Sequence, residues 1–162
     1  MASYRDLKLS HQIFMQNYPF SHYAIADNPS VKLTKPLNEC KFALVTTAGL
    51  RLEIDPPTDH YTLGDLSFRE IPNDISDIRI LLEEHKSSAF DHSGVQADKN
   101  LVLPIDRFRE LVENKTIGSL NDRHFSFMGS IINPRKLIDE IAPQVAKLLT
   151  EDGVDCVFLT PV

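Results

Sequence analysis

Two nearly unbroken apolar runs, Lys41-Phe-Ala-Leu-Val-Thr-Thr47 and Val154-Asp-Cys-Val-Phe-Leu-Thr160, restrict this chain to few fold classes. A strand with one wet face alternates polar and apolar residues. Runs without that alternation fit strands covered on both sides, as in a parallel sheet packed between helices. Ala48-Gly49 closes the first run and Thr160-Pro161 the second, both turn signals. Two helical patterns lie between the runs. Ile105, Phe108, Leu111 and Val112 recur at helical spacing behind Pro104, a residue suited to a first helical turn. Asn133-Pro134 opens the other, in which Leu137, Ile141, Val145 and Leu148 share a face until Gly153. Pro143 lies inside that helix, removes a backbone donor and predicts a kink.

The remaining segments are weaker signals. His124–Met128 alternates ahead of Gly129 and reads as a strand; Ser67–Ile71 alternates until Pro72 and reads as a short one. Asp77–Glu84, with Ile78, Ile80, Leu81 and Leu82, fits either period and is taken as strand, whereas Ser87–Asn100 reads as a polar loop. Strands interleaved with helices predict an α/β fold, a small doubly wound, mostly parallel sheet of Rossmann-like type. A run as apolar as Val154–Thr160 is expected at the centre of such a sheet. The crossover that should follow it is missing, so the chain is expected to be cut short after its last strand. Residues 1–36 carry Phe14, Tyr18, Phe20 and Tyr23 among polar residues, then Pro29 and Pro36. They read as a helix near Lys8–Gln16 and an extended arm, ahead of an α/β domain over 37–162.

Composition narrows the function. With 162 residues, 42% of them hydrophobic, the chain suits one core. A balance of 17 Lys+Arg against 23 Asp+Glu gives a net charge of -6, which argues against nucleic acid and anionic membranes as partners. The Arg107–Arg109 cluster reads as the solvated face of an acidic helix. No stretch approaches the roughly 18 apolar residues of a membrane span, and the N-terminus is polar where a signal peptide is greasy, so a cytoplasmic location is expected. Cys40 and Cys156 are too few for a disulfide framework and form no C-x-x-C pair; they read as small buried side chains at strands.

The densest polar constellation is His85, Asp91, His92 and Asp98, with His124 on a later strand. Asp91-His92-Ser93-Gly94 is similar to the tail of a metallo-hydrolase box, but Ser87 and Ala89 stand where its two preceding histidines belong. Losing two ligands removes most of the binding, so no metal site is assigned. Adjacent side chains such as Asp91 and His92 cannot easily face each other and are read as two separate contacts. His92 suits a general acid or an anchor for a substrate carboxylate; capping of the turn is the equal alternative. Ser126 has no Gly-x-Ser-x-Gly elbow, and the glycine motifs of nucleotide sites are absent, so no cofactor-binding residues are assigned.

Taken in order, Cys40–Gly49, Ser67–Pro72, Phe90–Val95 with Asp98, Pro104–Leu111, Arg123–Gly129 and Asp152–Val162 resemble the glycine/sarcosine/betaine reductase selenoprotein B and D-proline reductase family. The resemblance runs from residue 37 to the end. It implies a cysteine or selenocysteine directly after the segment Leu159-Thr-Pro-Val162, in a C-x-x-C or U-x-x-C spacing, and a chain cut at a misread selenocysteine codon. A chalcogen at the start of a helix after a parallel strand has its pKa lowered by unpaired amides and the helix dipole. The implied activity is thiol-dependent reductive cleavage of a carbon–nitrogen bond in glycine, betaine or D-proline-type amino acids. A pyruvoyl group would activate the substrate amine, and with no pyruvoyl precursor in this chain it is expected on a partner subunit. A thiol electron donor is implied as well, and self-association as a homo-oligomer is left open. Site residues expected on this basis are His92 or His124 as proton donor, Asp91 beside them, and Arg69 as carboxylate anchor. Thr47 and Thr160, at the ends of the two apolar runs, are further substrate contacts. Two alternatives stay open: a non-catalytic binding or assembly module, since Cys156 is buried by its strand pattern, and a metal-dependent hydrolase built on His85, Asp91 and His92.

Overall fold

The strand β1 (Lys41–Thr46) organises the fold, because Ala43 and Leu44 send their side chains into different apolar clusters on its two faces. The computed structural model describes residues 4–17, 31–58, 64–85, 90, 92–129, 131 and 133–162. Tyr18, Phe20, Tyr23, Pro29 and Asp91 fall outside the described residues. Two units are distinguished, Met1–Lys32 and Leu33–Val162. The first contains helix α1 (Leu9–Asn17), close to the helix expected at Lys8–Gln16.

In the second unit β1 is followed by β2 (Leu50–Arg51), β3 (Phe68–Pro72), β4 (Leu82–Glu83), β5 (Ser119–Leu120), β6 (Arg123–Phe127) and β7 (Cys156–Thr160). Helices α2 (His92–Ala97), α3 (Ile105–Glu113) and α4 (Ala142–Glu151) complete it. Along one edge β1 pairs in parallel with β7, from Phe42 opposite Cys156 to Thr46 opposite Thr160. Along the other it pairs in parallel first with β5 and then with β6, and β3 closes that side antiparallel to β6. The fold is therefore mixed α/β with a mostly parallel central sheet. β2 and β4 form a separate antiparallel ribbon.

The dryness of β1 follows from the helices. Ile105 and Phe108 of α3 belong to the cluster that takes Leu44, and Val145 and Leu149 of α4 to the cluster that takes Ala43. Pro143 disturbs the helix: the turn before it, Leu137–Ile141, is π-helical. Proline has no N–H to return to the carbonyl four residues back, so the helix widens there.

β5 and β6 are one strand interrupted by a bulge. Between the pairs Phe42–Leu120 and Val45–Phe125, the residues Ala43 and Leu44 of β1 face the four residues Asn121 to His124. The surplus residues turn side chains into ladder partners. His124 Nδ1 accepts the Leu44 N–H at 3.1 Å, replacing the missing strand carbonyl. Asn121 N–H donates to the Phe42 carbonyl at 2.7 Å, while its side-chain amide donates to Asp152 Oδ2 at 2.9 Å. Arg123 grips the same carboxylate with two bonds of 2.8 and 2.9 Å. This pair holds the Asp152 carboxyl at about 2, well below its ordinary value, with Arg123 the main cause.

Four expectations change. Ser87–Asn100 is not wholly loop: it contains α2, anchored by buried Val95, and Asp98 caps the next turn by accepting the Asn100 N–H at 2.9 Å. Asp77–Glu84 divides into a 3-10 turn, Ile78–Ile80, and the two-residue β4, since Asp77 accepts the Arg79 N–H at 2.8 Å and starts a turn instead of a strand. β7, expected at the centre of the sheet, has β1 on one side and no further strand among the described residues, and Val157, Phe158 and Leu159 stay exposed. Arg107 is a surface residue paired with Glu110, but Arg109 turns inward and donates to the carbonyls of Asn73 and Ile75. Among the described residues no helix is long and apolar enough to cross a membrane.

Cys40 is fully buried and Cys156 partly so. Burial, and then the neighbouring Cys40 side chain, push the Cys156 thiol above its ordinary value. Both thiols are therefore expected to label slowly with a maleimide at pH 7 and promptly after unfolding in urea. Fast labelling of either in the native protein would contradict their packing.

Candidate functional site

The parallel strands β1, β6 and β7 end side by side, and the chemistry available at their carboxyl ends follows from how each chain leaves the sheet. Thr46 Oγ1 donates to the Thr160 carbonyl at 3.3 Å and accepts the Ala48 N–H at 3.2 Å. Ser126 Oγ accepts the Leu50 N–H at 2.8 Å, so these hydroxyls tie the turn after β1 to its neighbours. Gly49 makes that turn with φ +66°, a left-handed value for which glycine carries no steric penalty.

A cavity of about 370 Å³ opens there, lined by Thr47, Phe127, Met128, Gly129, Ile131, Leu137, Ala142 and Val162. Its walls are apolar and its rim is main chain. Val162 is held on the rim by Thr47, whose Oγ1 accepts the Val162 N–H at 2.8 Å and donates to the Val162 carbonyl at 3.3 Å. Gly129 is packed so closely that a Cβ there would lie 2.6 Å from His85 Nε2 and 3.0 Å from the Thr47 carbonyl. An imidazole edge thus stands directly behind the cavity wall.

The ribbon of β2 and β4 brings that imidazole to the sheet. Leu50 pairs with Glu83, and Glu84 N–H donates to the Gly49 carbonyl at 3.0 Å. Glu84 fixes the ribbon through Arg51 at 2.8 Å and through the N–H and hydroxyl of Thr58 at 2.9 and 2.7 Å. Burial opposes the charge of Glu84, yet Arg51 and Thr58 outweigh it and hold the carboxyl at about 2. Glu83 shares its carboxylate between two histidines: Oε1 accepts the His85 N–H at 2.5 Å, and Oε2 lies 2.7 Å from His92 Nδ1. The Phe90 ring contacts both imidazoles, at 4.5 Å from His85 and 5.0 Å from His92. His85 is buried, and burial lowers its pKa against the pull of Glu83, which favours a neutral ring at pH 7.

The residues expected from sequence are distributed unevenly around this site. Thr47 lines the cavity, and Thr160 lies next to it on β7, its carbonyl accepting the Thr47 N–H at 3.2 Å. His92 is part of the Glu83 cluster; Asp91 lies outside the described residues. His124 is fully buried in the sheet bulge, away from the cavity lining, and burial with help from Arg109 lowers its pKa to about 4. Arg69 is occupied by Asp65 at 3.5 Å, Ser67 Oγ at 2.6 Å and the Pro56 carbonyl at 3.1 Å, and does not line the cavity. Glu83 went unremarked in the sequence, Gly129 figured there only as the end of a strand, and His85 as a metal ligand. Among the described residues no three His, Cys, Asp or Glu side chains converge as a metal ion requires.

The family model of the glycine/sarcosine/betaine reductase selenoprotein B matches residues 7–162. D-proline reductase subunit gamma of Acetoanaerobium sticklandii is 36% identical over 128 residues, covering 79% of this chain and 51% of that protein. Glycine reductase complex component B subunit gamma of Symbiobacterium thermophilum is 30% identical over 159 residues, covering 94% and 35%. Sarcosine reductase complex component B subunit beta of Peptoclostridium acidaminophilum is 28% identical over 166 residues, covering 94% and 34%. The chain thus spans about half the length of the first of these relatives and about a third of the other two. No solved structure matches it. With the family model matching nearly the whole chain, this chain belongs to the glycine/sarcosine/betaine reductase selenoprotein B family.

Proposed function

We propose that this chain is a cytoplasmic subunit of a reductase complex that cleaves the carbon–nitrogen bond of a small amino acid of the glycine, betaine or D-proline type. In this reading the sheet is the core of a doubly wound, Rossmann-like frame, and a redox cysteine or selenocysteine follows Val162. The observation that supports it is the position of Val162: Thr47 binds both its N–H and its carbonyl on the rim of the cavity. The apolar walls suit the apolar part of a substrate; they raise the cost of a chalcogen anion, which would rely on the unpaired amides of the helix start expected after it.

The chalcogen supplies the nucleophile; two thiol-derived electrons and the accompanying protons release the amine and leave the carbon acid reduced. The residues of this chain position and exclude. Phe127, Met128, Ile131 and Leu137 keep water from the reacting carbon. Thr47 and the strand end at Thr160 hold the main chain of the rim and offer polar contacts to the substrate. His92, with Nδ1 engaged by Glu83, presents Nε2 as the proton donor to the departing amine, and Asp91 stands beside it in sequence. A pyruvoyl group on a partner subunit and a dithiol donor complete the complex; a homo-oligomer is compatible with it.

The test is the full-length protein assembled with its partner subunits, supplied with a dithiol and with glycine, betaine or D-proline in turn. Release of amine or ring-opened product from one of them is expected; no turnover of any would reject the reading.

A further inference from the structure

We infer that Glu83 is the positioning residue of this site, fixing His92 as the Nδ1–H tautomer so that Nε2 is the atom that exchanges protons. The inference rests on the proposed reductase reading only for what Nε2 serves; the geometry stands by itself. Glu83 ends β4 and is held in register by Leu50. Its side chain is 9% exposed, that of His92 40%. The charge is sunk while the ring reaches solvent, which suits a fixed orienter and an exchanging partner.

A carboxylate can only accept, so His92 Nδ1, at 2.7 Å, must carry the proton in both the neutral and the charged ring. Only Nε2 then gains or loses one. The other oxygen takes the His85 N–H at 2.5 Å, and the His85 ring stands against Gly129 in the cavity wall. One carboxylate therefore holds both the proton-exchanging ring and the backbone N–H of the residue whose side chain backs the cavity wall. Among the described residues the titratable groups in this cluster are Glu83, His85 and His92. Phe90 edges onto His92 at 5.0 Å and limits rotation of the ring.

Glutamine cannot replace glutamate here. Both neighbours present N–H groups, and an amide meets one of them with its own donor. Glu83→Gln therefore forces His92 to give up its Nδ1–H tautomer or the His85 N–H to lose its acceptor, whereas Glu83→Asp keeps two acceptors on a shorter arm.

The tautomer is read from two-bond proton–nitrogen correlations of the imidazoles in the uniformly 15N-labelled full-length protein. In the wild type the expected state of His92 near neutral pH is Nδ1–H; Glu83→Gln moves it toward Nε2–H, and Glu83→Asp restores Nδ1–H at least in part. In the assembled reductase, Glu83→Gln is expected to lower kcat/KM by roughly 10²-fold, the low end of a positioned proton donor's contribution, with a displaced limb in the pH profile. A wild-type ring in the Nε2–H form overturns the inference without need of a variant that is active. Failure of the reductase reading looks different: no amine from any protein, while the tautomer pattern still supports Glu83.

Discussion

Lowering the pH from 7 to 4 is expected to cost this fold about 3 kcal/mol through His124 alone, with about 2 kcal/mol gone by pH 5. Its Nδ1 accepts the Leu44 N–H in the interior of the sheet, and its pKa lies at about 4, against 6.5 for an ordinary histidine. A proton on Nδ1 would point a donor at a donor. Because the folded-state value is depressed, the unfolded chain binds more protons between pH 6.5 and 4. The contribution is thus complete above pH 6.5 and lost as the pH falls through that window. The paired carboxylates Asp152 and Glu84, held at about 2, titrate below it, so the upper part of the window reports histidine. His85 shifts in the same direction and adds to the slope. Urea unfolding at pH 7, 5.5 and 4.5 measures the total. His124→Asn places an amide oxygen near the Nδ1 position without a titrating group and should flatten the slope; His124→Leu leaves the Leu44 N–H unsatisfied and should cost about 1–3 kcal/mol at pH 7. An unchanged slope in His124→Asn would falsify the assignment.

What the sequence revealed and concealed follows from the range of each interaction. β1 and the helix at Ile105 were legible because burial on both faces, or on one stripe, writes a period into adjacent residues. The disturbance at Pro143 was legible because a missing donor acts locally. The bulge was not, since the need for an acceptor at His124 arises from Leu44, 80 positions away. That residue type, on a strand and near neutral titration, invited a catalytic reading, and only its burial shows a backbone partner. Arg69 misleads in the same way: a guanidinium near candidate residues suggests an anion, while its partners Asp65 and Ser67 are local. Glu83 was hidden by the ambiguous period of Asp77–Glu84, which concealed both the ribbon and the side to which each carboxylate points. Thr47 was found because strand ends of a parallel sheet converge whatever the details of their loops.

Gly129→Ala is expected to destabilise the protein by about 1–3 kcal/mol, the range for overpacking a filled interior, and Gly129→Val by more. The glycine is required for space, not for backbone conformation, as its φ is not among the positive ones. A Cβ would meet His85 Nε2 at 2.6 Å and the carbonyls of Thr47 and Val162 at 3.0 and 3.1 Å. Carbonyls of a strand end and its neighbour cannot retreat without opening the rim, so most of the displacement must fall on the His85 ring. That ring lies 4.5 Å from Phe90, which also edges onto His92, and the backbone N–H of His85 is bound to Glu83, so the strain passes toward His92. The double variant Gly129→Ala/His85→Ala removes the struck atom and should recover part of the penalty. Gly153→Asn is the control: nothing lies within 4 Å of its Cβ position and asparagine tolerates φ +71°, so little change is expected. Thermal and urea unfolding of the wild type, Gly129→Ala, His85→Ala and the double variant gives the coupling directly. Penalties that simply add for Gly129→Ala and His85→Ala would mean that the imidazole does not back the cavity wall, and the link from that wall through Glu83 to His92 would lose its first contact.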